Sequence, residues 1–144
     1  MIGNIKIIAV CMCKVYDERN YRIIRALNNF AVENDYRLFV YHTCSDLYWK
    51  TLSEKGEQSV FDLIDYNITD AVVTFEEGMT KIRMDAAEYG KPVISVGVEH
   101  DDCISIKFDY AKGFEQVVRH VIEQHGVRDI GFIAGRKDEE NSEE

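Results

Sequence analysis

Short apolar runs alternate with segments whose apolar residues recur at helical spacing, from the first residues almost to the last. Ile5-Lys6-Ile7-Ile8-Ala9-Val10 is long enough for a buried parallel strand. A loop is expected over Cys11 to Tyr16. Asp17 then stands where a helix cap belongs, ahead of Ile23, Ile24, Leu27, Phe30 and Ala31 at helical intervals. Leu38-Phe39-Val40-Tyr41 reads as a second strand and Thr43 to Trp49 as a polar and aromatic loop. A helix through Val60, Phe61 and Ile64 follows, with Gly56 near its start. Ala71-Val72-Val73-Thr74-Phe75 is the third strand. Met79 to Tyr89 is a helix stopped by Gly90 and Pro92. Val93 to Val98 and Cys103 to Phe108 are two more strands. The helix from Lys112 to Gln124 carries Phe114, Val117, Val118, Val121 and Ile122, and Ile130-Gly131-Phe132-Ile133 is the last strand.

Strands separated by helix-length segments imply right-handed βαβ crossovers and a mostly parallel sheet. The expected fold is α/β, a three-layer flavodoxin- or Rossmann-like sheet with order 2-1-3-4 in its first four strands. Residues 1–135 read as one unit. In such sheets ligands bind beyond the carboxyl ends of the strands.

Composition narrows the classes. The chain has 144 residues, 46% of them apolar, enough for an ordinary core and too apolar for disorder to be the default. No apolar run reaches a membrane-spanning length, and the first residues lack the basic region of a signal peptide. Four cysteines without a C-x-x-C pair read as reduced thiols in a cytoplasmic protein. Cys11 and Cys13 would share a strand face, but a metal would need two further ligands from elsewhere. His120 and His125 are not four apart, so no zinc pair is expected. A net charge of −9 and the absence of a basic patch argue against direct contact with nucleic acid. Part of that acidity sits in the tail, Asp138 to Glu144.

The familiar chemistries of this architecture leave no signature. The turn after the first strand, Cys11-Met12-Cys13-Lys14-Val15-Tyr16, has no glycine for a dinucleotide or P-loop phosphate cradle. The acidic pair and aspartate of a phosphate-receiving regulator are missing, and no G-x-S-x-G elbow occurs. No cofactor and no catalytic activity are expected. What remains at the predicted strand ends is a polar and aromatic set: Tyr16, Asp17, Cys44, Ser45, Asp46, Phe75, Glu76, Glu77, Glu99, His100, Asp109 and Tyr110. Of these, Tyr16, Asp17, Cys44, Asp46, Phe75, Glu76, Asp109 and Tyr110 are the candidate ligand contacts. Aromatic faces beside a few charged groups hold sugars and nucleobases, whereas each residue could instead belong to an ordinary solvent-facing loop. Asp17 and Asp109 could serve simply as helix caps.

The segment Ile104 to Phe114, then Val117 to Glu123 and Gly126 to Gly135, runs strand, Asp, helix, glycine, strand, glycine. That order resembles the effector-binding domain of lac-repressor-type regulators, the type I periplasmic-binding-protein fold. The resemblance implies a ligand contact for Asp109. It does not extend to the first loop, where Val15-Tyr16-Asp17-Glu18 lacks the family's Asn-Pro pair, and Tyr110 replaces the usual small polar residue. It further implies an N-terminal lobe, with 136–144 starting the crossover to a second lobe and, from the position of Met1, an output domain on the C-terminal side. The segment Lys55 to Val73 also looks like sensor domains of this fold attached to GGDEF signalling proteins. The implied function is sensing of a small-molecule effector, sugar- or nucleobase-like, by a cytoplasmic homodimer, either a transcription regulator or a GGDEF-linked sensor. The alternative is a small Rossmann-like enzyme binding a nucleotide or flavin.

Overall fold

A computed structural model describes residues 5–45, 52–75, 78–131 and 133. The chain divides into two compact units, Met1–Ile106 and Lys107–Glu144.

The first unit holds five parallel strands: β1 (Lys6–Cys13), β2 (Tyr36–Thr43), β3 (Ala71–Thr74), β4 (Val93–Val96) and β5 (Ile104–Ile106), in the order β2-β1-β3-β4-β5. The expected order and parallel sense are both present. Between the strands lie α1 (Glu18–Glu33), α2 (Leu52–Gln58) continuing into a 3-10 helix (Ser59–Leu63), and α3 (Thr80–Glu88). The β4–β5 connection is a loop. Among the described residues no helix is long and apolar enough to cross a membrane.

Strand alternation sorts the core. Ala9, Cys11, Val72 and Val93 face a cluster built by Phe61, Ile64 and Tyr66 after α2 and by Met79, Ile82 and Ala86 around α3. Val10 and Met12, fully buried, and Val73 occupy the alternate positions, while α1 packs mainly against β2 and buries Ala31. Central β1 is covered so fully that Ala9, Val10, Cys11 and Met12 are all inaccessible, as a strand with neighbours on both edges and helices on both faces requires.

Several boundaries differ from the sequence reading, each for a long-range reason. β1 runs on to Cys13, because Cys11, Met12 and Cys13 pair with Tyr41, His42 and Thr43 of β2. Those thiols therefore lie in the central strand rather than in a loop. The second crossover helix begins at Leu52 and tightens into a 3-10 turn over Val60 and Phe61, which places Gly56 inside the helix. Of the last expected strand, Ile130, Gly131 and Ile133 are described and are not strand, while Phe132 lies outside the described residues. The second unit offers no other described strand for them to pair with.

The helix stops agree with the sequence. Gly90 closes α3 at φ +65, its N–H donating to the Ala87 carbonyl while that of Lys91 reaches Ala86. In the second unit, α4 (Tyr110–His125) ends at Gly126, also left-handed at φ +64. That helix is strongly amphipathic, carries Glu115–Arg119 and Arg119–Glu123 pairs on its polar side, and buries none of its residues.

Candidate functional site

The loops after β1, β2 and β3 are neighbours, because β1 lies between the other two strands. Connections leave β1 toward one edge, to β2, and continue from β3 toward the other. The carboxyl ends of β1 and β3 thus flank the topological switch point, where doubly wound sheets open a crevice.

The β1–α1 loop is built tightly. Lys14 adopts a left-handed φ of +47 and donates its N–H to the Thr43 carbonyl at 2.8 Å. The Asn20 amide, one turn into α1, donates to the carbonyls of Cys13 at 2.9 Å and Lys14 at 3.2 Å. Asp17 is the N-cap residue of α1 with extended backbone, but its side chain makes no capping bond. Its carboxylate is not used by the helix it precedes, contrary to the structural role that was its simplest reading.

Tyr16 leans to the neighbouring loop, where its hydroxyl donates to the Cys44 carbonyl. Cys44 and Ser45 are held from the other side by Glu57 of α2. Its Oε2 accepts both backbone N–H groups at 2.8 Å, and its Oε1 accepts the Ser45 hydroxyl at 3.2 Å. The Ser45 N–H bond is the largest cause holding the Glu57 carboxyl below its ordinary value, against some desolvation. Thr43 adds a bond from its hydroxyl to the Ser45 carbonyl at 2.6 Å. Phe75 is half-buried at the end of β3 and donates its N–H to Cys11 at 3.2 Å.

Tyr16, Asp17, Cys44 and Phe75 therefore come together at three adjacent strand ends of the first unit. Asp46 and Glu76, with Glu77, lie outside the described residues. Asp109 and Tyr110 belong to the second unit. There Asp109 is the N-cap of α4, and its Oδ1 accepts the Lys112 N–H at 2.8 Å. Tyr110 is the first residue of that helix and its ring lies 5.8 Å from that of Phe108.

Residues the sequence reading passed over carry much of the geometry. Nothing in their local pattern marks Asn20 or Glu57, since an Asn or Glu on a helix is usually just solvated; their partners are 6, 7, 12 and 13 positions away. His120 and His125 do meet despite their spacing, Nε2 to Nε2 at 3.3 Å. Among the described residues, however, no group of three or more His, Cys, Asp or Glu is arranged to hold a metal. Behind the strand ends, burial pushes the Cys11 thiol and the Tyr66 phenol each up to about 12. Burial likewise raises the Tyr41 phenol. At neutral pH all three are protonated, so none supplies a nucleophile or base to the crevice.

In comparisons with known proteins, the chain matches no family model, no curated protein and no solved structure.

Proposed function

We propose that the chain is a small-molecule sensing lobe, binding a sugar- or nucleobase-like effector at the switch point and performing no chemistry on it. The observation that carries the reading is the pair Tyr16 and Asp17 in the loop after β1. Tyr16 supplies an aromatic ring, 62% exposed, anchored by its hydroxyl to Cys44, and Asp17 beside it has a carboxylate unclaimed by its helix. A ring for stacking and a carboxylate for hydroxyl or amine donors form the usual recognition set for such ligands. The Glu57, Asn20 and Thr43 bonds hold both loops before any ligand arrives, which lowers the ordering cost of binding.

The resemblance to lac-repressor-type effector domains, and the weaker one to GGDEF-linked sensors, point to a cytoplasmic regulatory protein working as a homodimer. In that setting Asp109 takes a second role as ligand contact besides its cap. Ligand binding biases an equilibrium that an output domain reads.

The test is a thermal-shift panel on the chain with sugars and nucleobases in one arm, and nucleotides and flavins in the other. A true ligand at a hundredfold excess over its Kd stabilises by about 2.7 kcal/mol, a shift of several degrees in a domain this size. Tyr16→Ala and Asp17→Asn should cancel the shift; Asp17→Asn should leave the ligand-free melting temperature within about a degree, and Tyr16→Ala should lower it by a few degrees through loss of the bond to Cys44. Stabilisation by nucleotides or flavins alone would replace the sensor with a Rossmann-like enzyme.

A further inference from the structure

Arg83 of α3 is only 6% exposed, although arginine is rarely buried without full pairing. Its pairing is incomplete. Nη2 donates to the Thr80 hydroxyl across a long 3.4 Å, and Nε and Nη1 have no hydrogen-bond partner among the described residues. The carboxylate set against it, Asp102 of the β4–β5 loop, stands 3.7 Å from Nε, too far for a hydrogen bond, and its side chain is 58% exposed. A desolvated guanidinium with two unused donors is costly, so the arrangement calls for an anion that Asp102 only partly supplies.

Beside it lies a cleft of about 390 Å³, with Arg83 and Lys91 on one side and Asp101, Asp102 and Cys103 on the other. It opens next to Val93 and Ile104, the first residues of β4 and β5, hence at the amino ends of those strands and away from the crevice described above. The loop that forms its far wall is pinned independently of Asp102. Ser95 Oγ donates to the Val98 carbonyl at 2.8 Å and the His100 N–H donates to Ser105 Oγ at 3.0 Å. Asp102 can therefore rotate into solvent while the loop holds its place.

We infer that this cleft binds the carboxylate of a small organic acid, which displaces Asp102 and accepts a charge-assisted hydrogen bond from the unpartnered Nε of Arg83, with Lys91 also in the lining. A guanidinium N–H donates to a carboxylate or to a phosphate equally well. Charge decides between them. The two cations and two aspartates of the lining cancel formally, and the carboxylates repel a dianionic phosphate about twice as strongly as a carboxylate monoanion. The site does not depend on the sensor reading.

The experiment follows the Arg83 Nε–Hε resonance of the full chain in ¹⁵N spectra during titration with acetate, chloride keeping the ionic strength constant, and inorganic phosphate as the rival probe. The expected result is a saturable shift with acetate and a weaker one with phosphate. Asp102→Asn removes the competing carboxylate and should tighten acetate about tenfold. Lys91→Met, at a partly solvated position, should weaken acetate a fewfold with the fold intact. Arg83→Lys, if it folds, should abolish saturation. Absence of a saturable shift in both wild type and Asp102→Asn would overturn the proposal. So would tighter binding of phosphate than of acetate. Loss of stability in Asp102→Asn that acetate does not restore would show that Asp102 itself is the partner of Arg83.

Discussion

The four thiols should differ in reactivity by orders of magnitude, and the structure sets the scale. Cys44 is exposed, Cys103 partly so, and Cys11 and Cys13 are buried in β1. Two barriers protect Cys11. Burial raises its thiol from an ordinary 9.0 to about 12, lowering the thiolate population at neutral pH about a thousandfold. Its accessible surface is also nil, so even that small population cannot meet a reagent in the folded protein. Alkylation of Cys11 must then pass through opening of the sheet. Since β1 is paired on both edges, the opening that frees it is essentially global. For a domain stable by about 5 kcal/mol, the open fraction is on the order of 10⁻⁴. Pulsed alkylation with N-ethylmaleimide, read by peptide mass spectrometry, should label Cys44 first and Cys103 next. Cys11 and Cys13 should follow together, about four decades more slowly than Cys44. Urea should accelerate the slow pair along the unfolding curve and leave Cys44 unchanged. In the open state the Cys11 thiol returns to its ordinary 9.0, so the slow rate should rise with pH toward that value rather than toward 12. Labelling of Cys11 within a factor of ten of Cys44 in native buffer would refute both the burial of β1 and its central place in the sheet.

Three further outcomes are expected. Met12→Ala, at a fully buried position of β1, should cost about 2–5 kcal/mol through a cavity that a strand fixed on both sides cannot close, seen as a lower urea midpoint with unchanged m-value. Asp109→Ala should remove the cap on the Lys112 N–H and cost α4 about 1 kcal/mol, read as lost helicity by circular dichroism, while Asp109→Asn should be nearly neutral. Because the folded-state pKa of Glu57 is depressed, its carboxylate contributes stability that is present above its unfolded value and lost as pH falls through the folded one. The urea midpoints of wild type and Glu57→Gln should therefore differ at neutral pH and converge in acid.

Much of the architecture was written locally. The five strands announce themselves as apolar runs and α1, α3 and α4 as periodic stripes, whereas α2 carries no such stripe; Gly90 and Gly126 end their helices where the pattern breaks because only glycine takes a left-handed φ freely. The Asp109 cap was legible for the same reason, since its bond spans 3 residues. With the alternation of elements in view, the right-handed crossover rule leaves few topologies, and the parallel 2-1-3-4 order was among them.

What local pattern could not decide were the partnerships across long sequence gaps. The extension of β1 through Cys13 depends on the register with Thr43, and the Tyr16 hydroxyl meets a carbonyl 28 residues away. Arg83 looks like any polar residue on a helix until Asp102, 19 positions later, is folded against it and its guanidinium is found without enough partners. Backbone propensity and periodicity act over a few residues, so sequence alone determined most of the elements, their order and the stops of α3 and α4. Burial, charge pairing and strand register are properties of surfaces that chain folding brings together, so only the tertiary structure determined which thiols are protected, which loops are braced and where an unsatisfied cation lies beside a cleft.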